Sequence, residues 1–511
     1  MTKRSSPEHR RARRGSPVLR LAVALAAGMV AAPALAQSVW ESFPLPKSDW
    51  ALFSGVTVSD NVTRSPEKVS DQVLSVGGTG AFFRDEGRLR ANVRGSAWYE
   101  HYLQDTYDGE LLGSLAAFLR YDLIPERISW TLEDTYGQTT SNQFQPATPG
   151  NRSNANFFST GPDFTLRLGQ ASGLRLGGRY ELSTFEDGQQ LDEERVRATA
   201  GLFRRLSGTT TVSLNASASQ TDYRNGEVQL GDGQSADGYD IREGYARAEL
   251  RRARYTLSVD GGVTQVEQKG VQEESPLLRL SFYRRLTPSL NLNLSGGQEY
   301  RSGGDILRDS IQGVRFLNNQ VIYIPPGVDP AFVFNVIQDL NARSQPVKYE
   351  FANGSLDLVR PRTTFSVSGG AGRERFQFSG QNLDRDVWNG SVRVAHRLRP
   401  NVSTTAAVNY YDRQFINLVG GDRTVAGVLQ LQWQYTSQIA FNAGYRYERR
   451  NADFAEFSYR ENMLYVGFTY GRAKPSSLAP PTGSTTPAAT GPLSTQPTTP
   501  TPAGTGPRPV P

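Results

Sequence analysis

The chain has no cysteine, three histidines among 511 residues, and little hydrophobic continuity. Without cysteine there is no disulfide scaffold, no lipid-modified Cys, no thiolate-ligated zinc or iron–sulfur cluster and no thiol nucleophile. Past residue 36 no run of 18 or more apolar residues occurs, which excludes a helical membrane span in the body. Basic patches are also missing. The leader, residues 1–36, holds seven Lys/Arg against one acid, and the stretch from Arg472 onward holds three with no acid. Residues 37–471 are left with 46 basic and 49 acidic side chains, so the formal charge of +6 gives no ground for a nucleic-acid partner. What is plentiful is glycine (50 residues) and aromatic side chains (10%), at a mean hydropathy of −0.49. That balance is too polar for a soluble helical enzyme and too rich in Tyr and Phe for disorder.

Two segments frame the body. Residues 1–36 read as a secretory signal: a positive start, an apolar stretch from Leu21 to Ala32, then Ala34-Leu35-Ala36 before Gln37, where cleavage is expected. Residues 37–48 form a short periplasmic lead-in, too short for a plug domain. Residues 472–511 read as a disordered Pro/Thr-rich tail, with 11 prolines in positions 475–511.

Between them the period is two. From Leu174 one face reads Leu174, Leu176, Gly178, Tyr180, Leu182 and the other Arg175, Gly177, Arg179, Glu181, Ser183. The stretches from Leu290, Gly427 and Ile439 behave likewise, and Leu464, Val466, Phe468 and Tyr470 mark the last apolar face. Nine short turns, such as Asp85-Glu86-Gly87 and Thr436-Ser437, alternate with ten longer polar loops, near 60–71, 104–109, 139–155, 186–193, 222–240, 266–276, 302–346, 377–386, 415–423 and 449–459. Tight turns at one end and long loops at the other predict an all-β fold over 49–471. It is a closed antiparallel transmembrane up-and-down β-barrel of about 20 strands (18–22). Hydrocarbon offers no hydrogen-bond partner, so spanning strands must close on themselves, with apolar side chains facing lipid and polar ones facing the lumen. Trp130, Trp433, Tyr435 and Tyr470 near strand ends suit interfacial girdles.

Several of these residues carry a family likeness. With Asp60-Asn61, Trp130-x-Leu132-x-Asp134-x-Tyr136-Gly137, Asn151-Arg152 and Gly161-Pro162, the chain resembles the β-barrel porin family of proteobacterial outer membranes. That family includes barrels associated with exopolysaccharide export and exosortase systems. The resemblance implies a Gram-negative outer-membrane location and contact with lipid and lipopolysaccharide. It also implies service to exopolysaccharide-secretion machinery, and it supplies no catalytic residues.

Parity aims Arg90, Arg94, Arg175, Arg179, Arg197, Arg247, Arg279 and Arg446 into the lumen, with Glu181, Glu249, Glu299 and Glu448. Such charges either screen acidic solutes or neutralise one another as a bracing lattice. Lumen-side Trp98, Tyr245, Tyr283, Tyr411 and Tyr465 either stack on sugar rings or fill space. In the longest loop, Phe332, Val333, Val336, Ile337 and Leu340 share a helical face after Asp329-Pro330 and are expected to form a constriction in the mouth. Acidic loop residues, including Asp105, Asp108, Glu110, Glu186, Glu193 and Glu194, either hold divalent cations or are simply solvated. His101 and His396 fall on the lipid side at opposite surfaces and cannot share a site, so no enzyme, cofactor or metal is expected. The expected function is a porin-like channel for exopolysaccharide export or for small acidic solutes. The alternative is a non-conducting docking barrel whose proline-rich tail binds a periplasmic partner.

Overall fold

A computed structural model of the chain describes residues 47–471, apart from 143, 187–191, 225–236, 309–345, 377–382 and 417–418. The nineteen connections expected to be short or long join β1 (Lys47–Ser59), β2 (Asp71–Glu86), β3 (Leu89–Tyr102), β4 (Glu110–Ile124), β5 (Ile128–Thr140), β6 (Arg152–Arg167) and β7 (Ser172–Phe185). They continue through β8 (Glu193–Ser207), β9 (Thr210–Tyr223), β10 (Tyr239–Arg251), β11 (Tyr255–Gln268), β12 (Val271–Thr287) and β13 (Leu290–Arg301). The circuit ends with β14 (Val347–Val359), β15 (Thr363–Arg375), β16 (Arg385–Arg399), β17 (Val402–Phe415), β18 (Asp422–Gln434), β19 (Ile439–Ala452) and β20 (Tyr459–Gly471). Each strand pairs antiparallel with the next, and β1 closes on β20 from Ala51↔Gly471 to Ser59↔Met463. The described strands therefore form one closed 20-stranded barrel with no free edge.

Its hydrophobicity is inverted. On β20 the outward Leu464, Val466 and Phe468 are 53%, 58% and 47% exposed, while the inward Glu461 and Tyr465 are 2% and 3% exposed. The same parity holds on β17, where Val408 points out and Asn409 and Tyr411 point in. Exposed Trp50, Trp130, Trp433, Tyr435 and Tyr470 ring the turn end, where Trp50 meets Tyr470 edge-on at 5.9 Å. This is the surface of a transmembrane barrel.

One expected long loop is absent. Residues 266–276 are a two-residue hairpin in which Lys269 (φ 53°) and Gly270 (φ 75°) both take the left-handed conformation. Two successive positive φ values match the right-handed twist of the flanking strands. The polar run beyond them, Gln272-Glu273-Glu274, belongs to β12, whose loop end projects past the apolar belt.

The strands also repeat in groups of four. Register shifts interrupt the ladders at the turn ends of β4, β8, β12 and β16, and the residue skipped is Leu123, Leu206, Leu286 and Leu398 in turn. All four leucines are exposed. At each, the residue before the leucine donates its backbone N–H to the preceding turn: Asp122 to Arg88, Arg205 to Ala171, Arg285 to Arg254 and Arg397 to Arg362, at 2.7–2.8 Å. An extra residue placed there bends the strand into its turn and keeps the inward–outward order on either side.

Candidate functional site in the barrel lumen

The connection between β5 and β6, residues 141–151, folds inward. Two prolines, Pro146 and Pro149, limit its backbone, and a 3-10 turn at Pro149–Asn151 closes it. Asn151 is the internal staple: its Oδ1 accepts from the Asn142 N–H (2.7 Å) and its Nδ2 donates to the carbonyls of Asn142 (2.9 Å), Pro146 (3.0 Å) and Gln145 (3.3 Å). The tip is anchored away from its own strands. Arg64, in the β1–β2 connection, donates to the Ala147 carbonyl at 2.7 Å and pairs with Glu461 of β20 at 3.0 Å. Arg450 of β19 donates to the Phe144 carbonyl at 2.8 Å, and the Phe144 ring packs on Phe415 and Phe454 at 5.4 and 6.1 Å. In strand order β5 and β17 lie eight places apart by the shorter way round, so the loop draws distant parts of the wall together. Beneath it, Arg64, Glu100, Tyr102, Arg152, Arg446 and Glu461 line a cavity of about 50 Å³.

A second inward segment follows β13. Residues 303–308 make a helical turn whose Asp305 receives both Arg195 (2.8 and 2.9 Å) and Arg197 (3.1 and 3.2 Å) from β8. Ser302 also bonds Arg195, and the Gly304 N–H donates to Glu193 at 3.0 Å. Burial alone would raise the Asp305 carboxyl, but the charges of Arg195 and Arg197 hold it well below the usual carboxylate range.

Every lumen-facing candidate projects inward, and most have a partner. Arg90 approaches Asp85 and Asp122 (3.7 and 3.8 Å), Arg179 holds Asp163 (2.8 Å), Arg197 holds Glu181 and Asp305 (3.5 and 3.1 Å), and Arg247 holds Asp260 (2.7 Å). Arg279 bridges Glu243 (3.0 Å) and Glu299, Arg446 pairs with Glu448, and Glu249 pairs with Arg251 (2.5 Å). Arg94 and Arg175 stack over Phe83 and Phe203 at 4.7 and 4.4 Å. The bracing lattice is thus present along much of the wall, with most of these charges set against one of opposite sign. Trp98, Tyr245, Tyr411 and Tyr465 are buried in it. Of the acidic loop residues, Glu110 pairs with Arg152 and Glu194 with Arg224. No cluster suited to a metal ion occurs among the described residues. His101 lies outside, and the outward His396 Nδ1 is 2.8 Å from Thr363 Oγ1.

The proposed constriction residues Phe332, Val333, Val336, Ile337 and Leu340 lie outside the described residues. The segment seen to enter the lumen, 141–151, carried only a weaker signal: two prolines and two asparagines in a loop flanked by strands that were read correctly. Arg195, Arg450 and Asp305 were missed because their roles depend on partners 110 or more positions away.

The family described as "Putative beta-barrel porin 2" matches residues 387–472 of this chain. No curated protein matches. Among solved structures, the siderophore receptor PirA from Pseudomonas aeruginosa shares 10% identity at a TM-score of 0.43, covering 84% of this chain and 81% of that one. The FrpB iron transporter from Neisseria meningitidis shares 8% at 0.42, covering 83% and 81%, and OccAB3 from Acinetobacter baumannii 9% at 0.35, covering 83% and 99%.

Proposed function

With a porin family matched over β16 to β20, we propose that this chain is an outer-membrane channel of porin type that passes acidic solutes, including acidic exopolysaccharide. The observation that carries the reading is the closed barrel with an apolar outer belt and a charged lumen narrowed by an anchored loop. Porin constrictions of this kind set size and charge limits by geometry alone. Short turns face the periplasm in such barrels. That mouth is strongly basic here: Arg84, Arg88, Arg204, Arg205, Arg252, Arg254, Arg284, Arg285, Arg360, Arg362, Arg397 and Arg399 crowd it, against Asp85, Glu86, Asp122, Glu126 and Glu249. Arg393, inward on β16, has no carboxylate within ion-pair distance among the described residues, so cation is left over for an acidic solute. A basic entrance raises the local concentration of anions and admits them ahead of neutral sugars of equal size. The site needs no catalytic group for this.

Mature protein reconstituted in planar bilayers tests the reading. Single-channel currents should favour anions, and uronic-acid oligosaccharides applied from the turn side should block them at lower concentration than neutral oligosaccharides of the same length. A silent barrel, or equal block by both sugars, would refute it.

A further inference from the structure

Part of the turn end carries exposed cations that the chain does not neutralise. The β10–β11 turn holds Arg252 and Arg254, and the Arg254 carbonyl accepts from the Arg285 N–H at 2.7 Å, which sets this turn against the end of β12. There Arg284 faces outward in register with Tyr255, whose ring lies 6.4 Å from Phe282, and the bulged Leu286 is exposed two residues on. The four-strand repeat builds the arrangement again. Arg360 and Arg362 belong to the β14–β15 turn, the Arg362 carbonyl accepts from the Arg397 N–H at 2.8 Å, and the exposed Leu398 precedes Arg399. All six of these arginines outside the ladder N–H bonds (Arg252, Arg254, Arg284, Arg360, Arg362 and Arg399) are exposed, and none has a carboxylate within ion-pair distance among the described residues. The sequence provides none nearby: residues 250–259, 275–298, 358–373 and 387–411 contain no Asp or Glu. Outward arginines at the loop end differ. Arg242 pairs with Asp240 (3.2 Å), Arg373 with Asp386 (3.6 Å) and Arg423 with Asp412 (3.1 Å).

We propose that each of these two arginine–leucine clusters binds the headgroup of an anionic phospholipid of phosphatidylglycerol type in the turn-side leaflet. The clusters lie at the end of the barrel where Trp50, Trp433 and Tyr470 form the aromatic belt, the level at which headgroup phosphates sit. A guanidinium fork matches two oxygens of a phosphodiester. Phosphatidylethanolamine brings its own ammonium to that phosphate, whereas phosphatidylglycerol leaves the charge open, so unpaired arginines favour the second. Leu286 and Leu398 add an apolar contact where the acyl chains begin, which a free anion or a water-borne acidic protein would not use. The chain's own tail is no substitute, because residues 472–511 contain no acid. The inference rests on the bilayer placement proposed above but not on conduction, since Arg284 faces away from the lumen. If the barrel takes up no phospholipid, that placement falls; if it takes up both lipids without preference, only the headgroup sites fall.

Mature protein in lipid discs that hold phosphatidylethanolamine in excess over phosphatidylglycerol gives the test, with native mass spectrometry counting the lipids that stay bound. The parent should retain phosphatidylglycerol preferentially. Arg252→Gln, Arg254→Gln and Arg284→Gln together with Arg360→Gln, Arg362→Gln and Arg399→Gln should lower that preference at least about fivefold, the effect of one surface arginine. Leu286→Ser with Leu398→Ser should lower it as well, whereas Arg242→Gln, Arg373→Gln and Arg423→Gln, at the loop end, should leave it intact. Heat-modifiable gel mobility checks that each variant is folded. Equal retention of the two lipids by the parent, or a preference indifferent to the turn-end arginines or to the two leucines, would overturn the proposal. So would arginine variants that keep the lipid preference but release an acidic periplasmic protein co-purified with the parent.

Discussion

Asn151→Ala should loosen the inward loop without unfolding the barrel. The Asn151 side chain makes three bonds of 3.0 Å or less, one accepted from the Asn142 N–H and two donated to the carbonyls of Asn142 and Pro146. Each hydrogen bond contributes a net ~0.5–1.5 kcal/mol, so losing three weakens the folded-in loop by roughly 1.5–4 kcal/mol. At ~1.4 kcal/mol per tenfold, the open population rises by about ten- to several-hundred-fold. The strand ladders on either side, β4–β5 and β6–β7, do not involve the side chain, so heat-modifiable mobility should be unchanged. In bilayers the variant should flicker to a higher conductance level that the parent visits rarely, and Phe144→Ala, which strips the ring from Phe415 and Phe454, should reproduce the effect. If Asn151→Ala showed the parent's conductance and noise while hydrogen exchange proved its loop released, residues 141–151 would not limit the pore and the assignment of the constriction would be wrong.

Two further outcomes follow from local geometry. At Gly161 an added Cβ would lie 2.0 Å from the Gly178 carbonyl oxygen, a backbone atom that cannot turn aside, so Gly161→Ala should cost about 1–3 kcal/mol, read as a lower urea midpoint for the folded barrel. Asp305 carries a depressed carboxyl, so its contribution to docking 302–308 on β8 is complete above the unfolded value of about 4 and is lost only as pH falls through the lower folded value. Asp305→Asn should therefore speed amide exchange in 302–308 at least about tenfold at pH 7; an unchanged rate would contradict the assignment.

The barrel was legible because its cause is local and repeated. Alternation in Leu174–Leu182 or Ile439–Tyr447 states which side faces lipid, and the pairing of neighbours follows from short turns. The exception at 266–276 shows the limit: charge was read as loop, yet Lys269 and Gly270 were the whole turn and Gln272 to Glu274 were strand beyond the belt. Parity also fixed the direction of each lumen arginine, although it could not choose its partner. Arg197, for example, takes its shortest contact from Asp305, 108 residues later, on a segment no periodicity describes.

The four-strand repeat explains a further gap in what the pattern could reveal. Leu123, Leu206, Leu286 and Leu398 each add one residue next to a turn, so simple alternation counted across those turns would flip the following strand. The flip does not occur because each bulge inserts one unpaired residue into the ladder, with pairing resumed beyond it and the preceding N–H taken by the neighbouring turn. The parity of β5, and with it the outward course of Asp134, depends on this placement: Asp122↔Ser129 keeps inward facing inward past Leu123. The same motif that resembles other barrels, Trp130 to Gly137, therefore sends its carboxylate toward the bilayer rather than the pore. Residues that read as a family likeness lie here on the outside of the tube, while the segments folded against the inner wall are a loop and a helical turn that strand periodicity cannot describe.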